Sequence, residues 1–330
     1  MRKGEKLEIQ YYSREKWFEW NDIIAQNLDL RGNDQSLYLF ADAHVALLET
    51  LWAYSRQYVV KRKLYYVRGL SPYFDACLKF LIGQGFEIFE IDIDKALYDE
   101  NWIEKLDHTV LAVLFAKDIP FLGTFYEWES LKKKLTEKRV FQIEVVHNSH
   151  YIQGITNSDN PYHIKIHDFL GEAALGVLGK RTQFEAIIST SMNWQNFSST
   201  NLLSKIGNTK EIHSLVEKFE QQLPEETWKL PSSETRYFDR AVFSWKDMEA
   251  SAIIDCLEEI YPNMDMGKIQ TPSLVYWGSL RSMDWLLYVT GMDKEIVRGL
   301  IVVDQECLQW PKFTENLLNA RKQVLKLQNG

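Results

Sequence analysis

KLYYVRGLSPYFDACLKFLIGQGFEIFEID, residues 63–92, reads as a strand, a helix and a second strand in one unbroken run. KLYYV at 63–67 is the first strand, PYFDACLKFLIGQG the helix, and FEIFEID the second strand. Gly83 and Gly85 supply the helix stop. Two strands joined through a helix lie parallel, with the connection crossing right-handedly over one face of the sheet.

The same alternation extends to both sides. Upstream, LYLF at 37–40 reads as a short buried strand and HVALLETLWAYSRQY at 44–58 as an amphipathic helix, with Leu47, Leu48, Leu51 and Trp52 as its apolar stripe. Downstream come VLAVLF at 110–115, a turn at Gly123, the helix WESLKKKLTEK at 128–138 and the strand FQIEVV at 141–146. HIKI at 163–166 and FEAIIST at 184–190 are further strands, separated by the Gly-containing segment FLGEAALGVLGKR. The pattern predicts an α/β fold: a mostly parallel sheet covered by helices on both faces.

After about residue 200 the character changes. IHSLVEKFEQQL and MEASAIIDCLEEI look helical, RYFDRAVFSW extended, SLVYWGSL and VRGLIVV strand-like, and FTENLLNARKQVLKL a closing helix. This predicts a smaller α+β C-terminal domain, giving an arm over 1–35, a large domain over 36–205 and a small domain over 206–330. The stretch Pro224 to Ser233 is a candidate linker or surface loop. There is no internal repeat and no low-complexity tract.

Composition narrows the function classes. With 330 residues, 45% hydrophobic and 25% charged, and a mean hydropathy of −0.30, the chain is an ordinary globular protein with room for a sizeable core. A net charge of −8 and a pI near 5.5 argue against nucleic acid as a partner. Lys132, Lys133 and Lys134 read as a solvated helix face. MRKGEKLEIQ lacks an apolar stretch after its basic residues, and no apolar run approaches the roughly 18 residues of a membrane span, so the expectation is a cytoplasmic protein with no membrane partner. Cys77, Cys256 and Cys307 are far apart and odd in number, which fits a reducing compartment and neither a disulfide framework nor a zinc site.

In order, these segments resemble the large domain of the fold-type-I pyridoxal-phosphate (PLP) enzymes, the aminotransferases and α-oxoamine synthases, over roughly residues 36–200. Residues 63–94 resemble the family's strand, aromatic-containing helix and following strand. AKDIPFLGTF stands where such enzymes carry Asn-Pro-x-x-Pro-Thr-Gly, and Pro120 and Gly123 match it. VVHNSHYIQG resembles the strand end that reads Val-Asp-Asp-Ser-His or Val-Asp-Glu-Ala-Tyr, and FLGEAALGVLGKR resembles the lysine loop followed by Gly-x-Arg.

The resemblance implies a PLP-transferase fold, and the substitutions imply lost chemistry. PLP needs a lysine to hold it as a Schiff base and an acidic partner to keep its ring nitrogen charged. Here the lysine position falls on Glu172 and the acidic position on His147 or Asn148. The family's ring-contacting Asn near residue 119 is missing, and FADAH replaces the phosphate-binding Gly-Ser or Gly-Thr turn. Arg181, after Gly179, matches the phosphate-binding arginine, so His147, Asn148, His150 and Arg181 outline a degenerate cofactor pocket. A second register pairs Asp168 with the family acid and puts Asn193 at the lysine; a third uses Lys180 as the Schiff-base residue. No cofactor is expected, PLP being possible only without a normal internal aldimine.

His147, His150, His163 and His167, with Asp168, fall near predicted strand ends and are the metal candidates, since imidazole and carboxylate suit zinc or iron. Hydrogen-bonded structural histidines are the plainer reading. No G-x-S-x-G elbow and no P-loop occurs. YYSREKWFEW and VYWGSLRSMDWLLYV read as core or interface aromatics. Fold-type-I enzymes are generally dimers with shared active sites, so the expected function is a catalytically silent, aminotransferase-like dimeric scaffold or the non-catalytic subunit beside a homologous PLP enzyme. The alternative is a divergent enzyme that binds PLP non-covalently or uses a metal at the His cluster.

Overall fold

The computed structural model describes residues 36–40, 43–99, 101–119, 121–147, 162–168, 174–178, 209–231, 240–246, 248–274, 276–277 and 280–329. The arm expected over 1–35 and the strand expected over 184–190 lie outside them.

Seven strands form the first sheet: β1 (Ser36–Phe40), β2 (Lys63–Val67), β3 (Glu87–Ile91), β4 (Val110–Ala116), β5 (Phe141–Val146), β6 (His163–Asp168) and β7 (Ala174–Leu178). Their order is β1-β7-β6-β5-β4-β2-β3. From β6 to β3 every neighbour is parallel, while β7 runs antiparallel between β6 and β1. The Gly-containing stretch expected to separate two strands therefore contains a strand of its own, β7. Only residues 169–173 join β6 to β7, and a parallel return would need a crossover of a dozen residues or more.

Alternation along the strands sorts side chains to the two faces. Ala112, Leu114, Ile143, Val145, Ile164 and Ile166 pack with α1 (Ala43–Gln57) and α2 (Pro72–Gly83). Pro72 opens α2, where its missing N–H leaves no intrahelical bond unmade. The opposite face carries Val113 and Phe115 against α3 (Ile93–Tyr98), α4 (Asn101–Glu104) and α5 (Glu129–Glu137). The buried stripe of α1 runs Ala43, Ala46, Leu47, Thr50, Leu51, Tyr54, centred on Leu47 and Leu51. Trp52, expected in that stripe, stands about 100° round the helix from Leu51 and is 41% exposed.

A second, antiparallel sheet has the order β10-β13-β9-β8, with β8 (Trp228–Lys229), β9 (Arg240–Ser244), β10 (Ile269–Gln270) and β13 (Leu300–Asp304); β11 (Tyr276–Trp277) and β12 (Leu280–Arg281) pair separately. Its helices are α6 (Thr209–Gln222), α7 (Ala250–Ile260), α8 (Ser282–Thr290), α9 (Lys294–Arg298) and α10 (Phe313–Asn329). Ala241, Phe243, Ile301 and Val303 pack with α6, α7 and α10. Val242, Leu300 and Val302 point the other way and join Val113, Phe115 and Trp128 in one core. Both faces of β9 and β13 are thus covered, and one apolar layer welds the second sheet to the first. The strand expected at SLVYWGSL is instead two short strands, and the residues after it wind into α8.

Candidate functional site

In an open α/β sheet, ligands bind outside the carboxyl ends of the strands. β4 leaves the sheet there through Lys117, whose backbone N–H donates to Val145 O at 2.7 Å, and Asp118, which is fully buried. The chain then turns back, Ile119 N–H to Thr124 O at 2.9 Å and Gly123 N–H to Ile119 O at 3.0 Å. Gly123 takes φ +66°, a left-handed value at which a side chain would be strained. One oxygen of Asp118, Oδ1, accepts the backbone N–H of His147 at 2.7 Å and ties this turn to the end of β5.

His147 is buried, and its ring meets Phe74 edge-on with centroids 5.7 Å apart. Phe74, in the first turn of α2, is also buried and contacts His44 of α1 at 4.9 Å. Rings from α1, α2 and the residue that follows β5 therefore pack in succession at the strand ends, Phe74 and His147 buried and His44 partly so.

The expected histidine cluster divides. His163 pairs in register with Gln142 at the start of β5, whereas His147 follows Val146 at its end. Five residues of strand separate the two levels, about 16 Å. His167 and Asp168 lie at the far end of β6, paired with Val146 (His167) on one side and with Leu175 and Ala174 on the other. Among the described residues, no group of three or more His, Cys, Asp or Glu is placed to hold a metal ion. Asn148, His150, Glu172, Arg181, Lys180 and Asn193 lie outside the described residues.

What His163 does join is a buried polar cluster that the sequence reading passed over. Gln142 and Glu144 on β5 face α5, as do His163 and Lys165 on β6. Glu144 Oε1 lies 3.1 Å from Lys132 Nζ, and Glu144 Oε2 lies 3.0 Å from His163 Nε2. Gln142 Nε2 donates to Lys132 O at 2.9 Å and Thr136 Oγ1 at 2.8 Å. Burial alone would raise the Glu144 carboxyl, but His163 at 3.0 Å and the charges of Lys132 and Lys165 outweigh it and hold it well below the usual carboxylate range. Burial lowers His163, against the pull of Glu144, and burial also lowers Lys165. Lys132, expected on a solvated face, has 13% of its side chain exposed because this carboxylate holds it down. Polar residues at alternate positions of an otherwise apolar strand, Gln142 and Glu144 in FQIEVV, are the sequence signal for such a cluster.

PLP, the cofactor the resemblance implies, does not fit these residues as an internal aldimine. At the end of β5 the side chain is an imidazole, and the buried carboxylate nearby, Asp118, is bonded to backbone. Phe74 and His147 pack directly on each other. The connection from β6 to β7, Phe169-Leu170-Gly171-Glu172-Ala173, contains no lysine. Lys165 sits inside β6, in register with Glu144, rather than beyond the strand end.

No protein-family profile and no curated protein matches the chain in sequence. Solved structures do match in fold. A NifS-like protein superposes with a TM-score of 0.66 at 12% identity, covering 100% of this chain and 90% of its own. A NifS-like protein from Rickettsia africae gives 0.64 at 9% identity, covering 96% and 91%. The histidinol-phosphate aminotransferase from Clostridium acetobutylicum gives 0.58 at 12% identity, covering 96% and 92%. The fold is that of the fold-type-I PLP-dependent enzymes.

Proposed function

We propose that a chain with this aminotransferase-like fold and these strand-end residues is catalytically silent, and works as a dimeric scaffold or as the non-catalytic subunit beside a PLP enzyme. The observation that carries the reading is the lysine-free β6–β7 connection, since a Schiff base has no amine to form on at Glu172. The imidazole at the end of β5 supports it. A neutral or cationic ring there cannot supply the negative charge that keeps a pyridine nitrogen protonated.

The test is chemical. Purified protein is incubated with excess PLP, reduced with borohydride and examined by intact mass and peptide mapping. The expected result is no PLP-lysine adduct beyond that of a bovine serum albumin control. A stoichiometric adduct on Lys165 or Lys180 overturns the reading and returns the divergent-enzyme alternative.

A further inference from the structure

A cavity of about 290 Å³ opens at the carboxyl ends of β2 and β3, beside helix α8. Tyr66, Trp285 and Tyr288 give it aromatic walls, and Leu78 and Val289 extend the apolar lining. Its polar groups are Arg68, Glu90 and Asp284.

The charges are already arranged around one cation. Arg68 donates through Nε and Nη2 to Glu90 Oε1 at 3.0 and 2.9 Å, and its Nη1 lies 2.9 Å from Asp92 Oδ2. Its guanidinium also lies over the Tyr288 ring, 4.4 Å from the centroid. Tyr66 and Tyr288 both donate their hydroxyls to Glu90. Burial alone would raise the Glu90 carboxyl, but the bonds from Tyr288, Tyr66 and Arg68 outweigh it and keep it below its ordinary value. Arg68 is therefore spoken for on both sides, and an anion entering the cavity would have to break two ion pairs. Asp284, in the first turn of α8, makes no hydrogen bond or ion pair with the described residues. Two lining carboxylates, Glu90 and Asp284, against one guanidinium that also pairs with Asp92 leave the site with excess negative charge, beside ring faces that attract cations.

We propose that this cavity binds a small organic cation, an aromatic or alkyl ammonium, with the ammonium on Asp284 and the apolar part against Trp285 and Tyr66. The carboxylate supplies a charge-assisted hydrogen bond. The volume stands at the lower end of small-molecule sites, which suits a ligand on the order of ten heavy atoms. The proposal is independent of the silent-subunit reading, because neither Arg68 nor α8 belongs to the site at the ends of β4 and β5.

Calorimetric titration of the full chain with phenethylammonium chloride tests it, with sodium phenylacetate and 2-phenylethanol as the anionic and neutral probes. The amine is expected to bind saturably at one site, at least about tenfold more tightly than either other probe. Asp284→Asn, at an exposed residue without a described partner, is expected to weaken the amine about tenfold with an unchanged melting temperature. Phenylacetate binding as tightly as the amine, amine binding unaffected by Asp284→Asn, or no saturable amine binding would each overturn the proposal.

Discussion

Glu144 has 2% of its side chain exposed and lies between Lys132 and His163. Removing a buried partner leaves the others uncompensated, so Glu144→Ala is expected to cost about 3 kcal/mol of unfolding free energy. Glu144→Gln, which keeps the shape and one acceptor, should cost less; urea denaturation at pH 7.5 measures both. The pH dependence follows from two depressed groups. Glu144 contributes stability that is fully present above its unfolded value of 4.5 and lost as pH falls through the lower folded value. His163, which burial lowers against the pull of Glu144, behaves in the same direction from its ordinary 6.5 downward. The urea midpoint should therefore hold near pH 7.5, begin to fall below about pH 6.5 and fall further below 4.5, with the lower part of the fall reduced in Glu144→Gln. A midpoint flat from pH 7.5 to 4 would contradict the assignment. Side chains of this kind were poorly legible in the sequence. The histidines stood out by type, but only the strand register shows that His147 and His163 belong to opposite ends of the sheet, and that His163's partner is a glutamate inside an apolar strand.

At the scale of elements the sequence was informative wherever apolar periodicity was uninterrupted. KLYYV, FQIEVV and the helix from Pro72 form as read. It was misleading where tertiary contacts choose the conformation: Ala174–Leu178 contains a glycine and yet is a strand held between β1 and β6, and VRG of VRGLIVV ends α9 rather than opening β13. Gly299, at that junction, shows why. A Cβ there would stand 2.1 Å from the backbone oxygen of Trp245, so the chain passes β9 closer than any side chain allows. Gly299→Ala is expected to destabilise by about 2 kcal/mol, read as a lowered urea midpoint with an unchanged slope. Gly83→Ala, at the end of α2 with nothing within 4 Å, should fall within about 0.5 kcal/mol of the parent or gain slightly. Equal losses at the two sites would show that the close approach to Trp245 is not what the glycine serves.

For the molecule as a whole, the order of seven strands was only partly legible, since a sequence shows which strands are consecutive and not that β2 sits between β4 and β3. What remains exposed bears on the proposed role in assembly. Around α1 and α2 the surface carries Trp52 at 41%, Phe80 at 55% and Ile82 at 55% exposure, large apolar side chains on the two helices that cover one face of the sheet, with Val60 at 73% in the turn after α1. Clusters of such residues mark contact surfaces more often than scattered single ones do. A dimer stable at micromolar concentration commonly buries on the order of 2,000 Å², and helices of fifteen and twelve residues can provide the centre of such a patch. If the chain acts as a scaffold or silent subunit, sedimentation velocity at micromolar concentration should give either a species of twice the 38.8 kDa chain mass for the chain alone, or, on mixing with a PLP enzyme encoded beside it, a species of this mass plus that of the enzyme's subunit. Phe80→Glu with Ile82→Glu should shift that species to the monomer without lowering the melting temperature of the isolated chain by more than a few degrees, because both side chains already face water. A parent protein that sediments as a monomer and ignores the neighbouring enzyme would remove the assembly role and leave the strand-end substitutions to be explained by a changed chemistry.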